Sequence, residues 1–109
     1  MFDFSKRVNI NEGLAEYEAT KGALLIDVRT SEEYESGHIK GGKNIETKLL
    51  PAFIATGVET ETPIFVYCAS GARSNLAVKF LKRQGYTKAK NIGGIVDYSG
   101  KLEKGRDIC

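Results

Sequence analysis

Residues 63–74, Pro63-Ile64-Phe65-Val66-Tyr67-Cys68-Ala69-Ser70-Gly71-Ala72-Arg73-Ser74, decide the fold. Pro63 to Tyr67 form a short apolar run rich in β-formers, the pattern of a strand buried on both faces of a parallel sheet. The run stops at Cys68, and four small residues follow before Arg73. From Ser74 onward Leu76, Ala77, Phe80 and Leu81 recur at helical spacing while Lys79, Lys82 and Arg83 face water, and Gly85 supplies a stop. A buried strand, a tight loop and an amphipathic helix make one unit of an α/β sheet.

The flanking sequence offers further strands and helices. Ala23 to Val28 is a second nearly continuous apolar run of strand length. Thr30-Ser31-Glu32-Glu33 fits a capping box, so a short helix is expected to about Ser36 with Gly37 ending it. A short extended piece is expected at Lys43 to Ile45, then a helical face of Leu49, Leu50, Phe53 and Ile54 with Pro51 in its first turn and Gly57 closing it. Upstream, Lys6 to Asn9 suits a short edge strand, and Asn11 can cap a helix through Leu14 and Glu18 to about Ala19. Downstream, Lys88 to Ile92 suits a strand, Gly93-Gly94 a turn, and Ile95 to Leu102 a last helical or irregular segment. Alternating strands and helices joined by right-handed crossovers imply a mostly parallel sheet with helices on its faces.

The chain has 109 residues, 41% hydrophobic and 28% charged, with no internal repeat or linker-like stretch, so residues 1–109 are expected to share one core. No apolar run approaches the roughly 20 residues of a membrane span. The opening MFDFSKRVNINEG lacks a basic stretch followed by an apolar segment, so a soluble, cytoplasmic protein with no membrane partner is expected. A net charge of +2 is too small for a dedicated nucleic-acid binder. Its distribution is uneven. Residues 1–61 hold 7 basic and 11 acidic side chains, net −4, and residues 62–109 hold 9 basic and 3 acidic, net +6. The C-terminal half is the better host for an anion. Cys68 and Cys109, with the single His38, cannot complete a four-ligand zinc site or frame a disulfide fold, and both are expected as reduced thiols.

Ligands of open α/β sheets bind beyond the C-terminal ends of the strands, where Cys68 falls. A cysteine at a strand end is commonly a small core residue. Here Cys68-Ala69-Ser70-Gly71-Ala72-Arg73 buries no apolar surface, yet its small residues let several backbone N–H groups converge in a nest ahead of a helix N-terminus. Such surroundings favour the thiolate, which makes Cys68 the expected nucleophile and Ala69, Ser70, Gly71, Ala72 and Arg73 the expected binding loop. A thiolate ringed by donors suits attack on a phosphoryl group or on a sulfane sulfur. Loop size discriminates. Cysteine-dependent phosphatases resemble one another in having five residues between Cys and Arg, whereas four separate Cys68 from Arg73, a smaller cradle better matched to one added sulfur atom.

Three separated stretches resemble the single-domain rhodanese family of sulfurtransferases. They are Asp27-Val28-Arg29 with Glu33-Tyr34, Gly37-His38-Ile39, Gly41 and Asn44-Ile45; the loop Cys68 to Arg73 with Ser74; and Gly93-Gly94. The resemblance implies a five-stranded, mostly parallel sheet with helices on both faces, Cys68 as sulfur carrier, thiosulfate or another small anionic sulfane-sulfur donor, and a thiol, cyanide or protein acceptor. It implies no metal or organic cofactor. Two positions depart from it: Ala69 stands where many thiosulfate-using members carry a basic or amide side chain, and Tyr98 where the family often has Trp. The first departure leaves open a non-catalytic sulfur-carrier or docking module of the same fold; a phosphatase or arsenate reductase ranks behind both.

Other residues invite a role. Asp27 and His38 could join Cys68 in a triad, but the resemblance makes them scaffold. Arg29 is expected to pair with Glu33 four residues on, or with another carboxylate. Arg73 either touches substrate or pins the loop by bonding backbone carbonyls. Cys109, at a chain end, is expected to be inert.

Overall fold

The computed structural model describes residues 9–106. Helix α1 is Ile10–Ala19, strand β1 Leu24–Asp27, helix α2 Ser31–Ser36 and strand β2 Lys43–Asn44. Helix α3 is Leu50–Ile54, strand β3 Ile64–Cys68, helix α4 Ala72–Arg83 and strand β4 Ala89–Gly94, with short 3-10 turns at Thr47–Leu49 and Ile95–Asp97. The strands lie in the order β2-β1-β3-β4, and all three pairings are parallel.

The described sheet has four strands where five were expected. The fifth, Lys6 to Asn9, falls outside the described residues except for Asn9, and Asn9 belongs to a helix end. Its side chain accepts the Asn11 N–H at 2.9 Å and caps α1. Asn11 therefore is not the cap. Its amide instead ties α1 to the chain after β4, donating to the Asp97 carbonyl at 3.0 Å and accepting the Ser99 N–H at 3.0 Å. The capping box at Thr30 and Glu33 is present as expected, and Gly37 ends that helix.

Side chains alternate along each strand, so β3 divides the core in two. Ile64, Val66 and Cys68 face Ala77, Val78 and Leu81 of α4 and Leu50 of α3, whereas Phe65 and Tyr67 face Ile10 and Leu14 of α1. All five residues of β3 are buried, as its unbroken apolar run requires. The chain leaves β1 outward to β2, then crosses back to β3 and on to β4, so the order reverses between β1 and β3. Ligand crevices of such sheets open at this reversal, beyond the strand ends. Cys68 ends β3 and Asp27 ends β1 on its two sides.

Candidate active site

Cys68 shares the α4 face with Ile64 and Val66, and its side chain points to where that helix begins. The helix starts at Ala72, two residues before the position its hydrophobic spacing indicates, because Gly71 adopts φ +107° and turns the chain straight into it. Ala72 and Arg73 thus lie in the first helical turn and not in an open loop. Gly71 has no side chain to serve the unpaired amides of that turn. The Cys68 sulfur takes the place of the missing cap. Sγ accepts the Gly71 N–H at 3.0 Å, the Ser74 N–H at 3.4 Å and the Ser74 hydroxyl at 3.4 Å.

The residue is 1% exposed. Burial pushes the Cys68 thiol up, but the Ser74 hydroxyl and the amides of Ser74, Gly71 and Ser70 outweigh it, and the thiol is held below its ordinary value. These donors favour the thiolate form, and a thiolate so held would need no general base to act as a nucleophile.

Strand β4 braces the cradle from the far side. A Cβ on Gly94 would stand 2.4 Å from the Ala69 carbonyl oxygen and 2.5 Å from the Ser70 Cα, so only glycine lets the loop seat there. The expected turn at Gly93-Gly94 is thus the end of β4, paired with Tyr67 and Cys68. The Val96 N–H donates to the Ala69 carbonyl at 3.2 Å and fixes the start of the loop.

Arg73 bonds a carboxylate and not the backbone carbonyls of the loop. Its guanidinium makes a two-pronged pair with Glu33 of α2, Nη1 to Oε1 at 2.7 Å and Nη2 to Oε2 at 2.9 Å. Arg73 holds the Glu33 carboxyl down at about 2, helped by the Thr30 amide and hydroxyl against the partial burial that opposes them. Glu33 is therefore taken by Arg73 and not by Arg29. Arg29 turns to Asp27, with Nη2 2.7 Å from Oδ2 and Nε 3.0 Å from Oδ1, and donates to the Gly37 carbonyl at 2.6 Å. Both partners are buried, so this ion pair locks the chain between β1 and α2.

No triad assembles. The His38 ring stacks on Tyr34 with centroids 3.7 Å apart, and its Nδ1 lies 2.9 Å from the Tyr34 carbonyl. Asp27 is committed to Arg29. Two residues beside the sulfur lie outside the expected binding loop. Ser74, part of the resembling stretch and the expected helix start, supplies two of the sulfur's donors, and Asn91 of β4, which no sequence pattern marks, lies 2.7 Å from the Ser74 hydroxyl. Cys109 lies outside the described residues, and among these no cluster of His, Cys, Asp and Glu could hold a metal ion.

Comparison with known proteins agrees with this geometry. Residues 11–101 match the model of the rhodanese-like domain. The chain is 38% identical over 81 residues to the thiosulfate sulfurtransferase PspE of Escherichia coli (strain K12), covering 73% of this chain and 78% of that protein. It is 37% identical over 82 residues to the protein YqhL of Bacillus subtilis (strain 168), covering 74% of this chain but only 64% of that protein's length. A solved rhodanese with anions from E. coli superposes with a TM-score of 0.69 at 37% identity, covering 76% of this chain and 99% of that one. With its cysteine loop, parallel sheet and extended sequence match, the chain belongs to the rhodanese-like domain family.

Proposed function

We propose that the protein is a sulfurtransferase that carries sulfane sulfur on Cys68 as a persulfide. The observation behind this reading is the Cys68 sulfur itself, which accepts two backbone N–H groups and one hydroxyl at the start of α4. In the first half-reaction the thiolate attacks the outer sulfur of thiosulfate or a low-molecular-weight persulfide. The new S–S bond forms as the old one breaks, and sulfite or a thiolate leaves with the electron pair. In the second, cyanide, a thiolate or an acceptor protein attacks the outer sulfur, and Cys68 recovers its electron pair as thiolate. The backbone donors of the cradle face an anion at both ends of the cycle, so no proton need enter it. Likeness to a named thiosulfate sulfurtransferase supports the donor class.

The surroundings of the loop bear on the donor. Ala69 offers no charge, and the Arg73 guanidinium is spent on Glu33. A sulfonate therefore finds less cationic help here than a bare cysteine loop with a free arginine would give, and this favours a second reading in which a partner's persulfide loads Cys68. The same pairing argues against phosphoryl transfer, where the arginine must grip two oxyanion oxygens. The deciding experiment is intact mass before and after thiosulfate, with and without Cys68→Ser. A gain of one sulfur that needs Cys68, with turnover lost in the variant, is expected. Loading only in the presence of a partner protein selects the carrier reading, and turnover surviving Cys68→Ser discards both.

A further inference from the structure

Asn91 stands opposite Val66 in the β3–β4 ladder and shares its face, under the start of α4. Its side chain is fixed at both ends. Oδ1 accepts the Gly93 N–H at 2.9 Å, which settles which end is oxygen, and Nδ2 donates to the Gly71 carbonyl at 3.3 Å. The remaining contact is to Ser74. The Ser74 hydroxyl has three acceptors within reach: Asn91 Oδ1 at 2.7 Å, the Gly71 carbonyl at 3.1 Å and Cys68 Sγ at 3.4 Å. A hydroxyl carries one proton, so these three compete for it. The Gly71 carbonyl already accepts the Asn75 N–H at 3.0 Å, which leaves Asn91 and the sulfur as the chief rivals.

We propose that Asn91 is a positioning residue: it holds the Ser74 proton while Cys68 is a thiol or a persulfide, and yields it when the sulfur is a thiolate. In the thiol, Ser74 donates to Asn91 over the shortest of its contacts, and its oxygen is free to accept the S–H. In the thiolate, the hydroxyl turns to the anion, because a hydrogen bond to a charged acceptor outweighs one to an amide. Asn91 Oδ1 is not orphaned by the change, since it keeps the Gly93 N–H. In the persulfide the negative charge sits on the outer sulfur, the inner sulfur loses its claim, and the hydroxyl returns. Only hydrogen bonds are exchanged; no covalent bond changes. Asn91 thus tempers the resting anion and favours the states in which charge has left Sγ.

The charged groups around the sulfur are Arg73 on α4, Glu33 on α2 that neutralises it, and the Asp27–Arg29 pair at the end of β1. None of these touches Asn91 or Ser74 through a hydrogen bond, so their contribution is common to every variant below.

This inference rests on Cys68 as the nucleophile, and its test needs no sulfur donor. The pH dependence of Cys68 alkylation by iodoacetamide is measured in the full chain carrying Cys109→Ser, so that one thiol reports. Replacing Asn91 by Ala releases the hydroxyl to the sulfur. The profile should move toward acid, with alkylation below the midpoint faster by about threefold to tenfold. In a Ser74→Ala background the same Asn91 change should do nothing of the kind. An equal shift in both backgrounds, or an alkaline shift with Ser74 present, overturns the proposal. If Asn91→Ala fails to fold, the parent chain decides: the Gly93 N–H resonance should titrate with Cys68, and its response should shrink in Ser74→Ala. A flat Gly93 resonance across the alkylation midpoint overturns the proposal as well. Absence of a persulfide would defeat the sulfurtransferase reading while leaving these thiol measurements interpretable.

Discussion

Burial and hydrogen bonding pull the Cys68 thiol in opposite directions, and the donors win. Ser74 makes the difference, because it supplies both an amide and a hydroxyl to the sulfur. Hydrogen bonds to charged groups are worth about 1.5–3 kcal/mol, so Ser74→Ala should slow alkylation of Cys68 at neutral pH by about tenfold or more. Its pH profile should shift toward alkali with the fold unchanged by circular dichroism. An unshifted profile would show that the backbone amides suffice. The neighbouring ion pair has its own pH signature. Glu33 is held at about 2 in the fold against an ordinary 4.5, so the folded chain binds fewer protons there than the unfolded chain does. Its stabilisation is therefore complete above the unfolded value and lost as pH falls through about 2. Both side chains are more than a third exposed, which keeps the contribution small. Glu33→Gln should lower the melting temperature slightly at pH 7, where this stabilisation is complete, and the difference from the parent should shrink as pH falls from about 4 to about 2.

Among the elements, β4 does more than close the sheet. Its last glycine permits a backbone approach that no side chain could share, and its Asn91 reaches under the loop. Gly94→Ala forces the Ala69 carbonyl and Ser70 Cα to move, since neither is the end of a flexible side chain. The expected outcome is a retained fold with the donors displaced from Cys68, read as slower alkylation at neutral pH and loss of any sulfur loading. Wild-type reactivity in that variant would mean that the loop does not depend on β4 for its shape. The element-level pattern was legible where it is local: the apolar run of β3, the capping box of α2 and the helical spacing of α4 all lie within short windows. The start of α4 was not, because Gly71 in the left-handed region begins the helix ahead of its hydrophobic stripe. Nor was the contact between Ser74 and Asn91, which are 17 residues apart and meet only through the strand register. That register shifts beside Val66 and Tyr67, so that Tyr67 pairs with Gly93 and Ile92 is left over.

For the molecule as a whole, the reversal of strand order between β1 and β3 sets the cradle beside the buried Asp27–Arg29 pair, which fixes the chain leaving β1. Arg29→Met keeps the apolar stem but strands the Asp27 carboxylate in a dry site. Breaking a buried pair from one side costs about 3–5 kcal/mol, and urea unfolding should show a loss of that order; a loss under about 1 kcal/mol would mean the site admits water. The sequence by itself determined the alternation of buried strands and helices, the cysteine at a strand end and the tight loop after it, because each is a pattern of neighbours in the chain. It did not determine the partners of the charges. Arg73 lies 40 residues from Glu33, and Arg29 could equally have reached Glu33 by helical spacing. Which carboxylate each arginine meets depends on how α2 and α4 are set over the strand ends, and only the packed sheet decides that.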